Sequence, residues 1–357
     1  MYYANVENNT AGSKATLDCS VILEEIGFKN YDVPVYWKKG VLLNISSLLI
    51  RLLKLFYHLH ARSTVVIQYP LLGIHKYLRT MIRLLRIKRS KVICIIHDID
   101  SLRHTNCKFS LSNEIIRLNN FDVVICHNKK MELLLMEHGL TTQTCIGVLF
   151  DYLLNRRTVE QINSRPLHAP NRKVAFAGNL GKSFFLKDLN QVKDVCFSLY
   201  GPGFNSEQDQ DNITWCGSFS AEELPVHLDA DFGLIWDGDS IESCVGYLGS
   251  YLKYNNPHKA SLYMVSQLPL IAPKQSAVGN FIEENAIGVT INSLFELKDV
   301  FNQLTEEDYF RMKNNLKAIS ARVSSGAYLK QAIASATAAV ESTPAGLYHE
   351  SPRSAFE

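Results

Sequence analysis

Along the first half of the chain, short runs that are apolar on both faces alternate with segments whose apolar residues recur every three or four positions. The runs are DVPVYW (32–37), TVVIQYP (64–70), KVICIIHD (91–98), FDVVICHN (121–128) and CIGVLFD (145–151). Helical periodicity lies near 14–26, 41–60, 72–88, 111–119 and 129–138. Strands without a polar face, separated by helices, predict a parallel sheet covered on both sides. Residues 152–172 break the rhythm; they are polar and contain Pro166 and Pro170. The alternation resumes with KVAFAGN (173–179), VCFSLYG (195–201), NITWCG (212–217), FGLIWDG (232–238), LPLIA (268–272) and IGVTI (287–291). Two long helical segments, 305–322 and 326–341, close the pattern. The expected architecture is α/β: two Rossmann-like, doubly wound domains facing a cleft. The expected division is a domain over 1–155, a linker over 156–172, a second domain over 173–341 and a disordered tail over 342–357.

Ligands of such sheets bind outside the carboxyl ends of the strands. The informative residues therefore follow the strands: Pro70, His97, Asp98, His127, Asn128, Gly178, Asn179, Tyr200, Gly201 and Asp237 to Asp239. In FAGNLGKSFF, Gly178 and Asn179 turn ahead of Lys182. That is either an ordinary strand-to-helix turn or a backbone approach to a phosphate with a cation beside it. No Walker or G-x-G-x-x-G motif is present. In WDGD, Asp237 and Asp239 are either an Asx-type turn or carboxylates for a cation or a sugar hydroxyl. His97 beside Asp98 offers a base or a hydroxyl binder, although neighbours on a strand point to opposite faces.

The stretch YNNPHKASLY (254–263) is a helix start with a misfit. Asn256 suits the N-cap and Pro257 the first helical position. Lys259 then sits in the first turn, beside the positive end of the helix dipole, where natural helices prefer Asp or Glu. An anion held jointly by Lys259 and the free N–H groups would resolve the conflict.

Composition narrows the classes. At 357 residues, 46% apolar and 20% charged, the chain can bury two ordinary cores. A net charge of +2 points to no nucleic-acid partner. None of the eight cysteines forms a C-x-x-C pair, so buried thiols in a reducing compartment are expected. The N-terminus lacks a signal-peptide pattern, and GVLLNISSLLI is too short to span a bilayer, so the expected location is cytoplasmic. The segment 75–91 is basic and amphipathic. It reads either as a sheet-covering helix with a solvated edge or as an attachment to the anionic inner face of the cell membrane.

Five stretches carry a family resemblance: IIHDIDSLR, FAGNL, FGLIWDGDSIESC, YLKYNNPHKASLYM and LPLIAPKQSAVGNFIEENAIG. In order and spacing, over about residues 1–340, they resemble the bacterial GT-B glycosyltransferases that include the β-1,6-galactofuranosyltransferases of O-antigen synthesis. They are more distantly similar to the streptococcal glucosyltransferases that extend sugars on serine-rich adhesins. The resemblance implies a GT-B fold, a UDP-sugar donor on the C-terminal domain, a glycan acceptor facing the N-terminal domain and no metal cofactor. It implies donor contacts at Gly178, Asn179, Lys182, Tyr200, His258, Lys259, Ala260 and Ser261, and from an early loop at Lys14, Ala15 and Thr16. Ala260 stands where galactofuranosyltransferases commonly have threonine. Asp237, Asp239 and Asn256 border the same region, with His97 on the acceptor side. The C-terminal half contains no Glu-x₇-Glu pair, which favours an inverting reaction, and Asp98 is the candidate base. The expected function is transfer of galactofuranose to a lipid-linked glucoside in surface-polysaccharide assembly. The alternatives are UDP-glucose-dependent glucosyl transfer and non-catalytic sugar-nucleotide binding.

Overall fold

A computed structural model describes residues 11–31, 54, 56–71, 77–103, 110–204 and 211–342. The expected strand at 32–37, most of the segment 41–60 and the tail beyond 342 lie outside the described residues. Two parallel sheets form the frame. The N-terminal sheet contains β1 (Thr64–Tyr69), β2 (Lys91–Ile96), β3 (Val123–Cys126) and β4 (Gln143–Ile146) in the order β1-β2-β3-β4. β1, β2 and β3 are almost wholly buried, as their runs without a polar face require.

The C-terminal sheet contains β5 (Lys173–Ala177), β6 (Cys196–Tyr200), β7 (Ile213–Trp215), β8 (Phe232–Leu234), β9 (Leu270–Pro273) and β10 (Gly288–Ile291). Its order is β10-β9-β8-β5-β6-β7. The chain winds outward from β5 to β7, then returns to β8 beside β5 and winds the other way. This is the doubly wound order, with its switch point between β5 and β8.

Apolar clusters cover both faces of each sheet. On one face of the N-terminal sheet lie Ile67, Leu78, Met81, Leu85, Ile115 and Leu135. The helix Leu78–Ile87 buries Leu78, Met81, Ile82 and Leu85 at helical spacing and leaves Arg79 and Arg83 exposed. On the other face, Ile22 and Leu23 of the helix Ala11–Glu25 meet Leu329, Ile333 and Ala336 of the helix Ala327–Ser342. The expected domain division placed this last helix with the C-terminal domain by chain order. Its apolar face instead covers β2, β3 and β4. The chain thus crosses between the domains twice, after β4 and again at Gly326.

Asp151, on the first crossover, ties the second one down. Its carboxylate accepts from the backbone N–H groups of Tyr328 and Leu329 at 3.3 and 2.7 Å, at the start of the last helix. Burial pushes this carboxyl up to about 7, against those two hydrogen bonds. The expected linker is also structured. Residues Arg156–Asn163 form a helix capped by Asn155, and Arg165 donates to the carbonyls of Pro225 and Val226, both at 2.8 Å. The described cysteines are free; Cys94 and Cys126 are buried as expected, whereas Cys196, at the first position of β6, is exposed.

Ile333 is 3% exposed between the last helix and the N-terminal sheet. Ile333→Ala is expected to destabilise the protein by about 2–5 kcal/mol, the usual range for emptying such a site. A urea midpoint equal to that of the parent protein would mean that this helix is not docked there.

Candidate active site at the switch point

The floor of the crevice is made of backbone. After β5, Gly178 donates its N–H to the Tyr200 carbonyl at 3.0 Å. Gly201, at φ +135°, lies so near that a Cβ would fall 1.9 Å from the Gly178 oxygen. One step on, a Cβ on Gly203 would fall 2.7 Å from the Gly181 nitrogen. Only glycine permits this approach. Asn179 then opens the short 3₁₀ turn Leu180–Lys182, and Lys182 is exposed at the rim. After β8, Trp236 is buried and donates its indole N–H to Ser240 at 2.9 Å. Asp237 follows, and Gly238 turns at φ +107° against the Val245 carbonyl.

Lys259 reaches into the gap between these strand ends. Its Nζ lies 3.3 Å from the Trp236 carbonyl, 3.3 Å from Asp237 Oδ2 and 4.5 Å over the Phe176 ring. Carbonyl, carboxylate and ring face together hold a cation beside the positive end of a helix. The misfit visible in the sequence is thus built into the crevice wall, at the switch point. Asp239 does not join Asp237 on Lys259; it lies exposed beside Gly246.

The other residues expected at the site are held by protein groups. The helix His258–Val265 is capped by Pro257, at φ −69° and ψ 143°, and not by Asn256. Asn256 is drawn away by the other domain: its side-chain amide donates to the carbonyls of His127 (3.2 Å) and Val148, and its oxygen accepts from Asn128 at 3.0 Å. Its backbone N–H donates to His127 Nδ1 at 3.1 Å, so His127 carries its hydrogen on Nε2, facing the Ile96 carbonyl. Tyr200 is a core residue, 2% exposed, whose hydroxyl accepts from the Asp229 N–H. Ala260 and Ser261 are fully buried, and the Ser261 hydroxyl donates to the Phe150 carbonyl at 2.5 Å.

His258 stacks on Tyr152 at 4.8 Å and approaches the Asp151 carbonyl at 3.4 Å, leaving Nδ1 buried without a partner. Burial lowers its pKa to about 4. Lys14, Ala15 and Thr16 lie within a helix, not a loop. Lys14 is 4% exposed and engages Asp18 (2.7 Å), Glu222 (2.9 Å) and the Leu153 carbonyl (3.0 Å). Ala15 is buried, and the Thr16 hydroxyl donates to the Ser13 carbonyl.

The opposite wall carries Asp98, paired with Arg103. Burial raises the Asp98 carboxyl to about 6, and the charge and hydrogen bond of Arg103 oppose the rise. Arg103 feels the charge of Asp98 most and that of Asp237 weakly. His97 turns away from Asp98, as strand alternation requires. Its Nε2 meets Gln68 Oε1 at 2.7 Å, and its ring stacks on Phe150 at 5.1 Å. Because the Gln68 amide nitrogen already donates to Ser20, the hydrogen on this bond belongs to His97. Tyr251, Phe150 and Phe176 carried no signal in the sequence, since their roles come from distant strands meeting.

The match to glucosyltransferase 3-like proteins spans both halves of the chain, with the N-terminal domain over residues 1–148 and the C-terminal domain over 174–336. The chain belongs to the glucosyltransferase 3-like family. It is a glycosyltransferase. Among its relatives, the β-1,6-galactofuranosyltransferase WbbI of Escherichia coli K12 is 30% identical, over 93% of this chain and 97% of that protein. Glucosyltransferase 3 of Streptococcus gordonii is 25% identical over 76% of this chain and 78% of its own. Among solved structures, Anabaena HepE in complex with UDP and glucose superposes with a TM-score of 0.54 at 15% identity, covering 88% of each chain. That likeness supports the two-domain GT-B fold.

Asp98 is expected to titrate near pH 6 in a carboxyl-carbon NMR experiment. In Arg103→Gln the midpoint moves higher, because the largest influence favouring the charged form is gone. A midpoint at the ordinary value near 4 in the parent protein would mean that the carboxyl is solvated.

Proposed function

We propose that this glycosyltransferase moves galactofuranose from UDP-galactofuranose to a hydroxyl of a lipid-linked glucoside, with inversion and without a metal. The observation that carries the reading is Lys259, held over Phe176 at the switch point with its charge beside a helix N-terminus. A diphosphate there would take over the role of Asp237 as counter-charge. WbbI supports the choice of sugar, and HepE, solved with UDP and glucose, supports the nucleotide.

In this reading the acceptor oxygen attacks the anomeric carbon while its proton passes to Asp98. The bond from that carbon to the β-phosphate oxygen breaks, and its electron pair leaves with UDP. Lys259 and the helix N–H groups stabilise the departing charge. With Asp98 at about 6, it is the ionised, proton-accepting form that predominates at pH 7 and above. A cation already pairs with Asp237, so Lys259 supplies the charge that a metal would otherwise bring.

Incubation with UDP-galactofuranose and octyl α-glucoside tests the donor. Transfer from UDP-glucose with none from UDP-galactofuranose would shift the assignment to glucosyl transfer. UDP binding without turnover on any acceptor would favour a non-catalytic binder. Lys259→Ala should raise the UDP dissociation constant about tenfold or more, the usual effect of losing a charge-assisted hydrogen bond. An unchanged constant removes Lys259 from the site. Asp98→Asn should abolish transfer while UDP still binds.

The membrane reading rests on exposed Arg79 and Arg83 beside Ile87, which is 69% exposed. Arg86 is partly committed, donating to the Asn120 carbonyl at 2.8 Å. Arg79→Gln with Arg83→Gln should reduce sedimentation with phosphatidylserine vesicles. Equal sedimentation of variant and parent would sink the idea.

A further inference from the structure

The turn that follows β2 is held by a carboxylate from a later helix. Glu114 lies in the first turn of the helix Leu111–Leu118 and is 0% exposed. Its Oε1 accepts from the Tyr69 hydroxyl at 2.9 Å and from the Asp100 N–H at 3.2 Å. Its Oε2 accepts from the Ser101 N–H at 2.9 Å and from the Ser101 hydroxyl at 2.6 Å. Four donors fill the acceptor sites of a carboxylate. Two of them are the N–H groups that open the helical turn Asp100–Arg103. The N–H just before them, on Ile99, donates to the hydroxyl of Tyr251 at 2.9 Å, and the Tyr251 ring is buried in the N-terminal core. Three consecutive backbone donors beside Asp98 are thus taken by side chains from elsewhere in the chain.

We infer that Glu114 is a positioning residue: by capping the turn Asp100–Arg103 from within the core, it keeps the Asp98 carboxylate available to the cleft. This rests on the reading of Asp98 as the base. In the run HDIDS, Asp98 stands two residues before Asp100. At that spacing an aspartate side chain ordinarily bonds the backbone N–H ahead of it. Left to local chemistry, Asp98 would cap the turn that follows it. Glu114 occupies those donors, and Asp98 pairs with Arg103 instead. The Asp98 side chain stays 24% exposed, so a sugar hydroxyl can reach it. A buried carboxylate is costly unless it is hydrogen-bonded, so the turn and Glu114 hold each other. Tyr69, the last residue of β1, anchors the other side of Glu114. The place of the base is thereby set by the ends of two strands and a buried charge.

Glu114→Gln in the full chain, assayed with UDP-galactofuranose and octyl α-glucoside, tests the inference. The amide keeps the size of the side chain but has a single acceptor oxygen, so a donor of the turn is released and Asp98 folds back onto it. kcat should fall about tenfold or more, the usual effect of losing a hydrogen bond to a charged group. The UDP dissociation constant should stay within about twofold of the parent, because the donor side is untouched. Amide exchange followed by NMR needs no turnover: the Asp100 or Ser101 N–H should exchange about tenfold faster in the variant. If Glu114→Gln is insoluble, Ser101→Ala removes one donor from the same carboxylate, and kcat should fall about threefold with UDP binding unchanged. Unchanged kcat or unchanged exchange in the variant that folds overturns the inference, even if Asp98→Asn is inactive and the base stands. Loss of UDP binding in step with kcat overturns it too, since that marks general damage to the fold. Full activity in Asp98→Asn removes the base itself, and the inference with it.

Discussion

The placement of Lys259 depends on the burial of the first crossover, residues 148–153, between the two domains. Several of its polar groups hold other elements in place. The Val148 carbonyl takes the Asn256 amide, and the Phe150 carbonyl takes the Ser261 hydroxyl. Asp151 caps the last helix, and Tyr152 lies between His258 and Lys14. Where an irregular segment is buried, as at Asp151 and Tyr152, its polar groups must find partners within the protein. It does so largely by gripping the start of the helix His258–Val265. That grip turns the first helical turn toward the ends of β5 and β8.

Charge at the junction is managed by burial. His97, His127 and His258 surround Phe150, and desolvation lowers all three, to about 3, 4 and 4. Asp18, Asp98 and Asp151 move oppositely, to about 6, 6 and 7. The linkage signs oppose each other. Histidines depressed on folding contribute stability above their unfolded value near 6.5 that is lost as pH falls toward 4. Carboxyls raised on folding disfavour the folded state at neutral pH, and that penalty lifts as pH falls from about 7 to the unfolded value near 4. The two sets offset one another between about pH 4 and 6.5, so the cleft's chemistry can respond to pH with a smaller change in fold stability.

Much of this was legible in the chain, but not uniformly. β1, β2 and β3 announce themselves because a strand covered on both faces is mostly apolar, without alternation. Lys259 announces itself because a cation in a first helical turn violates a local rule, and such violations gather at functional sites. Asn256 misled for a related reason. Its residue type suits an N-cap, yet carbonyls from residues 127 and 148 compete for the same amide and win. Tyr200 follows a strand like the site residues around it, but nothing local reveals that Asp229 supplies its hydrogen bond from within the core.

The sequence by itself determined the alternation of strands and helices, the glycines that let β5 and β6 end in close contact, and the out-of-place lysine. These are local properties, set by side-chain periodicity, backbone freedom and the helix dipole. The tertiary structure alone decided that the last helix returns to the first sheet, that Tyr251 enters the core of the other domain, and that Lys259 meets Asp237 and Phe176 at the switch point. Those outcomes depend on contacts between residues far apart in the chain. Their energy comes from burial shared between two domains, and no stretch of sequence expresses that alone.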